Sequence, residues 1–250
     1  MKHYDVIIVG SGPSGIFAAL ELLKNVRDIK ILIIEKGKDI DKRICPMKTR
    51  EISCAACPEC ALLSGWGGAG AYSDGKLTLS PHIGGSLVKY IGIDSLESMI
   101  SAADMTYMNY GAPDELYGAN ENEIATISRL AAEHDLIFIP SKIRHIGTDR
   151  CITVLKKIKK SLDGNADILF NAEAERVLTS KKKVNGIRLK NGEKFSADHV
   201  ILAPGREGSR WLEREARRLH LTLLKNPVDI GVRVEIPASV FEPLTKITYE

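Results

Sequence analysis

Tyr4–Val9 is an apolar, largely β-branched run bounded by glycine, which predicts a short buried strand. Gly10-Ser11-Gly12-Pro13-Ser14-Gly15 comes next, then a helical stretch over Ile16–Asn25 with small residues at Ala18 and Ala19. Ile29–Ile34 is a second apolar strand, closed by Glu35. This order predicts a strand–turn–helix–strand unit with a parallel crossover. Asp39–Ser64 has no period, and the stretch from Gly65 to Gly75 is dense in glycine. Helices are predicted over Asp94–Met108 with Asp94 as N-cap, Glu121–His134, Thr148–Leu162 and Ser209–Leu219. Short strands are predicted over Leu136–Ile139, stopped by Pro140, and over Asp167–Phe170. Glu173–Thr179, Val184–Leu189 and Glu193–Phe195 read as antiparallel strands, with Asn185-Gly186 and Asn191-Gly192 as hairpin turns. Asp198–Ala203 is again an apolar strand, ending at Pro204-Gly205. Pro227–Ile236 reads as a last strand, and Pro237 and Pro243 break the remaining segment. The lysines of Lys156–Lys160 and Lys181–Lys183 fit a solvated helix face and a hairpin tip.

Composition narrows the class. The chain has 250 residues, 35 Lys and Arg, 32 Asp and Glu and a formal charge of +3, too even for a nucleic-acid footprint. Hydrophobic residues at 44% and charged residues at 27% are globular values, so disordered and collagen-like classes are excluded. Apolar runs such as Val6–Val9 and Ile31–Ile34 hold four residues, far short of the ~20 a membrane-spanning helix needs. Lys2, His3, Tyr4 and Asp5 interrupt any signal-peptide core, so a cytoplasmic protein is expected, without membrane or nucleic-acid partners and acting on a small molecule. Neither a Gly-x-Ser-x-Gly elbow nor a His-Glu-x-x-His pair occurs, and His82, His134, His145 and His199 are isolated, so hydrolase chemistry has no support.

The spacing Gly10-x-Gly12-x-x-Gly15, after a strand and opening a helix, is a dinucleotide fingerprint. Gly10 permits the tight turn, Gly12 the approach of a pyrophosphate and Gly15 close helix packing. Ser11, Pro13 and Ser14 complete the turn, with Pro13 tolerated where no N–H is needed. The helix start offers free N–H groups and the positive end of its dipole. Glu35, twenty residues past Gly15, is placed to accept hydrogen bonds from adenosine ribose hydroxyls, with Lys36 beside it. A carboxylate there suits FAD or NAD better than NADP.

The turn at Ala203-Pro204-Gly205-Arg206 lets the chain pass close to a bound dinucleotide, and Arg206 is either a phosphate partner or a solvated first-turn residue. Together with the fingerprint and the meander it resembles the two-dinucleotide-binding-domain flavoproteins. Cys45-Pro46-Met47, Cys54-x-x-Cys57-x-x-Cys60, Ser64–Leu77, Ala203–Ser209 and Asn226–Arg233 resemble, more closely, a family of uncharacterised bacterial and archaeal FAD-dependent dehydrogenases. The resemblance implies FAD and a redox reaction, with hydride passing to or from flavin N5, but no particular substrate. It places the glycine-rich loop along the cofactor, through Gly67 and Gly68, with Ser73 or Lys76 toward the flavin ring.

The expected fold class is α/β: a Rossmann-like FAD-binding three-layer fold with a β-meander, plus the start of an inserted substrate domain. Residues 1–220 would form the FAD-binding domain, with an excursion over about 39–147, and 221–250 would open a truncated substrate domain. Flavoproteins of this architecture usually close their site with a Gly-Asp pair, which this sequence lacks. An N-terminal fragment with weak or absent flavin retention is therefore expected. Cys45, Cys54, Cys57 and Cys60 are candidate ligands for zinc or an iron–sulfur cluster, or a redox pair; four reduced thiols in a loop are the alternative. NAD(H) is an expected electron donor or acceptor. Two rivals stand beside this reading: an NAD-dependent dehydrogenase without flavin, and a metal or iron–sulfur module on a Rossmann scaffold.

Overall fold

The computed structural model describes residues 1–224, 228 and 230–249. Ile7 and Ile8, adjacent in β1 (His3–Val9), are both fully buried, because this strand is covered on both faces. Such burial stabilises by roughly 1.5–3 kcal/mol per side chain. Gly10 turns the chain into α1 (Pro13–Asn25), and β2 (Ile31–Ile34) returns parallel to β1. The chain then runs through α2 (Pro46–Arg50), β3 (Lys76–Thr78), α3 (Val88–Ile91), α4 (Ile93–Asn109), α5 (Glu121–Ala132), β4 (Ile143–His145) and α6 (Thr148–Leu162). It continues as β5 (Ala166–Leu169), β6 (Ala174–Ser180), β7 (Lys183–Leu189), β8 (Lys194–Leu202), α7 (Ser209–Arg218) and α8 (Ala238–Thr248).

Two compact units result, one of residues 1–72 and 155–226, the other of 73–154 and 227–250. The first holds a six-stranded sheet in the order β5-β2-β1-β8-β7-β6. β5, β2, β1 and β8 are parallel neighbours, and β6, β7 and β8 form the antiparallel meander. This is the α/β, Rossmann-like architecture expected from the sequence. One face of the sheet buries Ile7, Val9, Leu32, Ile34, Val177, Ile187, Leu189 and Phe195, with Trp211 of α7 packed against them. The opposite face of β1 carries Ile8, which lies against the start of α1 at Gly15. The second unit pairs β3 with β4 and holds β4 to α4 through Arg144, whose guanidinium grips both oxygens of Asp104 at 2.5 and 2.7 Å.

Several sequence expectations need correction. Glu193–Phe195 and Asp198–Ala203 are parts of one strand, β8, which pairs with β7 on one side and β1 on the other. Gly186 is inside β7, where a Cβ would lie 1.9 Å from Phe195 O; the hairpin turn falls instead at Lys181 and Lys182, both left-handed. Asn191-Gly192 is a turn as expected, with Asn191 Oδ1 accepting from Glu193 N at 3.0 Å. Leu136–Ile139 is not a strand, with Leu136, Ile137 and Ile139 exposed, while β4 was not foreseen. Gly92, not Asp94, caps α4. Val228 and 230–236 form no strand; Pro227 and Asp229 lie outside the described residues. Pro237 does not end a segment but starts α8, and Pro243 is accommodated within it.

Candidate functional site

The parallel strands β1 and β8 end side by side, and that edge carries the fingerprint. Ala203 N donates to Val9 O at 2.8 Å, and Gly10 N to Ile34 O at 2.8 Å. Gly10 is left-handed at φ +101°, and a Cβ on it would meet Ala203 O at 2.2 Å. A Cβ on Gly15 would meet Gly10 O at 2.0 Å. Both glycines are thus demanded by the protein's own backbone. Gly12 is different. Its φ of −71° suits any residue, and a Cβ would find nothing nearer than Gly68 Cα at 4.0 Å. The fold itself does not require glycine there, so the space it leaves is available to a bound group. Gly12 also caps α1, with Pro13 at the helix's first turn, and the first i−4 bond runs from Ile16 N to Gly12 O. Ser14 and Gly15 precede that bond, in the first turn, where N–H groups lack helical acceptors and favour an anion.

The glycine-rich loop lies against this turn. Gly67 N donates to Ser11 O at 2.8 Å, a Cβ on Gly68 would stand 3.0 Å from Gly12 Cα, and one on Gly70 3.7 Å from Pro13 Cγ. The structure therefore gathers Gly10–Gly15, Gly67, Gly68 and Ala203 into one cradle. Exposed Gly205 and Arg206 follow Ala203 in the same unit, and Lys36 pairs with Glu207 at 3.0 Å. Ser73 and Lys76 belong to the second unit, where Ser73 Oγ accepts from Gly75 N and Lys76 pairs with His145 in the β3–β4 ladder.

Glu35 is 6% exposed and fully engaged. Its Oε2 accepts from Ser11 N at 2.9 Å and Ser11 Oγ at 2.8 Å. Its Oε1 accepts from Gly37 N at 2.8 Å and Gly65 N at 3.0 Å. The Gly37 and Gly65 backbones cross so closely that a Cβ on Gly37 would meet Gly65 N at 2.4 Å.

Arg43 was not foreseen from the sequence, where nothing distinguishes it from its charged neighbours. It is 4% exposed and donates from Nε to Ala61 O at 2.9 Å and from Nη1 to Trp66 O at 2.6 Å. Its guanidinium also lies over the Tyr72 ring, 4.8 Å from the centroid. Burial pushes its pKa below the usual guanidinium value, against the pull of Tyr72, Glu35 and Cys60. It thereby ties the cysteine loop to the glycine-rich loop. Trp66, fully buried, donates from Nε1 to Leu155 O at 2.9 Å.

The cysteines are not gathered as a metal site. Cys45, Cys54, Cys57 and Cys60 are free thiols, Cys54 and Cys57 exposed and the other two half-buried. Among the described residues, three possible ligand atoms lie within 4.8 Å of one another only at His3, Asp5 and Asp198. Exposed groups of that kind are common without an ion. Cys151 is buried in α6, and burial, with the Asp74 charge, pushes its thiol up to about 11.

Sheet order, meander and glycine cradle together define a Rossmann-type dinucleotide-binding protein. Residues 4–216 match the family described as pyridine nucleotide-disulphide oxidoreductase, and the chain belongs to that family. An uncharacterized protein of Clostridium beijerinckii is 28% identical over 232 residues, 92% of this chain and 36% of the relative. Among solved structures, glycine oxidase from Geobacillus kaustophilus is similar with a TM-score of 0.52 and 18% identity, over 89% of this chain and 60% of that one. The 3-ketosteroid-delta4-(5alpha)-dehydrogenase from Rhodococcus jostii RHA1 is similar with a TM-score of 0.52 and 17% identity, over 87% and 49%. These structural likenesses are of fold. The chain spans just over a third of the length of the curated relative. No helix among the described residues is long and apolar enough to cross a membrane.

Proposed function

We propose that this chain is the flavin-binding part of an FAD-dependent oxidoreductase of the dehydrogenase kind, acting in the cytoplasm on a small molecule, with NAD(H) as electron donor or acceptor. The observation that carries this reading is the open position at Gly12. A glycine that the fold does not need stands at the start of a helix, beside the glycine-rich loop at Gly67 and Gly68. Pyrophosphate oxygens fit there, against first-turn N–H groups and the helix dipole. The family match adds that the chemistry is oxidation and reduction. FAD, when bound, supplies two-electron chemistry at its N5. The chain's own part is to bind and orient the cofactor through the first unit's glycine cradle.

The test is Gly12→Ala. The added Cβ meets no protein atom nearer than 4.0 Å, and alanine in place of glycine at the cap of α1 costs ~1 kcal/mol, so the melting temperature of the free protein should fall by no more than about 2–4 °C. FAD affinity, read by calorimetric titration, should fall at least about tenfold, or 1.4 kcal/mol. Equal FAD affinity in the folded variant would remove the pyrophosphate from this turn.

A further inference from the structure

Arg43 Nη2 and Ser64 Oγ, both in the first unit, are buried polar atoms with no partner among the described residues. Each residue is only 4% exposed. Buried polar groups are nearly always hydrogen-bonded, so an unpaired one indicates a partner from outside the chain. These two residues flank the cysteine run, Arg43 just before Cys45 and Ser64 just after Cys60. We infer that residues 43–64 form a site for an iron–sulfur cluster of the [4Fe–4S] kind, with Cys45, Cys54, Cys57 and Cys60 as its ligands and Arg43 and Ser64 as donors to its sulfurs. This inference goes beyond the flavin reading and does not depend on it.

The protein itself closes the base of this loop. Arg43 Nε donates to Ala61 O at 2.9 Å, so the chain before Cys45 and the chain after Cys60 meet. Arg43 Nη1 donates to Trp66 O at 2.6 Å, and the Tyr72 hydroxyl donates to Arg43 O at 2.6 Å. The outer cysteines sit in hydrogen-bonded turns: Cys45 O accepts from Lys48 N at 3.0 Å, and Cys60 O from Ser64 N at 2.9 Å. Between them, residues 51–60 form neither helix nor strand, Cys54 and Cys57 are exposed, and Ala56 is left-handed at φ +44°. An anchored base with an irregular, solvent-facing tip can draw its thiols together without disturbing the sheet. Among the described residues the sulfurs do not yet converge. Ligation closes the loop, since such sites form as the metal binds.

The spacing selects the occupant. Three cysteines follow one another at gaps of two residues, Cys54-x-x-Cys57-x-x-Cys60, and the remote fourth is Cys45-Pro46. Iron–sulfur ligand runs have this composition: consecutive cysteines at gaps of two, and a further cysteine before proline. Structural zinc instead takes its ligands as separated pairs, because the chain must return to a single ion from two sides. A cluster spreads its iron corners over a wider body, which consecutive thiolates can span. Charge favours the same occupant. The thiolates outweigh the core, so the bound cluster is an anion, and charge-assisted hydrogen bonds to its sulfurs stabilise it. Arg43 supplies a buried cation with a spare N–H, and the Cys60 charge acts on it. On binding, the four cysteine thiols lose their protons and each sulfur bonds one iron; no electron leaves the protein.

The test uses the whole chain, purified without oxygen and treated with ferric iron, sulfide and a thiol reductant, which supply every atom and electron of the core. The readouts are iron, acid-labile sulfide and zinc per chain, and electron paramagnetic resonance after reduction with dithionite; none requires FAD. About four iron and four sulfide per chain are expected, with the spectrum of a reduced [4Fe–4S] cluster. Cys54→Ala and Cys57→Ala alter exposed side chains, so both variants should keep the wild-type melting temperature without metal and lose most of the bound iron and sulfide. Cys151→Ala removes the cysteine of the second unit and should leave iron and sulfide unchanged. Zinc in place of iron, iron without matching sulfide, or thiols that still titrate freely after the treatment would overturn the inference. Iron and sulfide equal to wild type in Cys54→Ala and Cys57→Ala would overturn it as well.

Discussion

At the scale of single residues, the cradle separates what the fold needs from what it leaves open. A Cβ on Gly10 or Gly15 would meet a backbone oxygen near 2 Å, whereas one on Gly12 would meet nothing nearer than 4.0 Å. Arg43 belongs with the first group. Its buried guanidinium donates to the carbonyls of Ala61 and Trp66. Arg43→Met keeps most of the side-chain volume and removes both donors. Each carbonyl left without a partner costs ~1–3 kcal/mol, so a loss of roughly 2–4 kcal/mol is expected in denaturant unfolding of the ligand-free protein. A midpoint unchanged from wild type would show that the two loops hold together without it. The sequence made the glycines legible because their spacing carries a mechanism. Arg43 and Trp66 were not legible because their partners are 18 to 89 residues away in the chain.

At the scale of elements, α7 is the cover of an open sheet edge. β6 ends the six-stranded sheet, so the backbone groups on its outer side have no strand to pair with. Trp211 Nε1 donates to Glu175 O at 2.8 Å, Val177 N donates to Glu215 Oε2 at 2.9 Å, and Arg218 Nη2 donates to Val177 O at 2.7 Å. Residues 211, 215 and 218 share one face of the helix, and 175 and 177 one side of the strand. Burial raises the Glu215 pKa, but the bonds from Arg218 and Val177 outweigh it, and the net shift is downward from 4.5. A carboxyl depressed in the folded state adds stability above its unfolded pKa and loses it as pH falls through the folded value. Wild-type stability should therefore decline as pH drops below about 4.5, and Glu215→Gln should flatten part of that decline while costing stability near neutral pH. Unfolding midpoints measured across that range check both signs; a parallel decline in the two proteins would remove Glu215 from the acid response. The strand–turn–helix–strand unit, α5, α6 and α7 were legible because their apolar spacing is regular over many residues. β8 was read as two strands because Ser196 interrupts its apolar pattern, although β7 pairs with it as far as Ser196 and β1 from Ser196 to Leu202. β4 is three residues long with Arg144 at its centre, whose ion-pair partner Asp104 lies forty residues earlier.

At the scale of the whole molecule, the two units differ in how well each buries its apolar residues. The first fills both faces of its sheet, while the second leaves Val228, Ile230, Val232, Val234 and Ile236 exposed at every other position. Ile230 is 94% and Val232 91% exposed. Between these apolar positions in sequence Arg233 and Glu235 pair at 3.0 Å, so apolar and polar residues alternate, the sequence pattern of a half-buried strand. This explains why the sequence read it as a strand, since alternation reports a face that suits burial and cannot report whether a neighbouring strand is there to bury it. Exposed apolar residues at alternate positions are prone to association, which single charges among them suppress. The chain at high concentration is therefore expected to bind an apolar fluorescent dye and to self-associate, with sedimentation moving to larger species as concentration rises. Val232→Lys places an ammonium at the centre of these positions and disturbs no packed neighbour, so it should reduce both dye binding and association several-fold without lowering the melting temperature. Dye binding and sedimentation identical to wild type in that variant would mean that the association surface lies elsewhere.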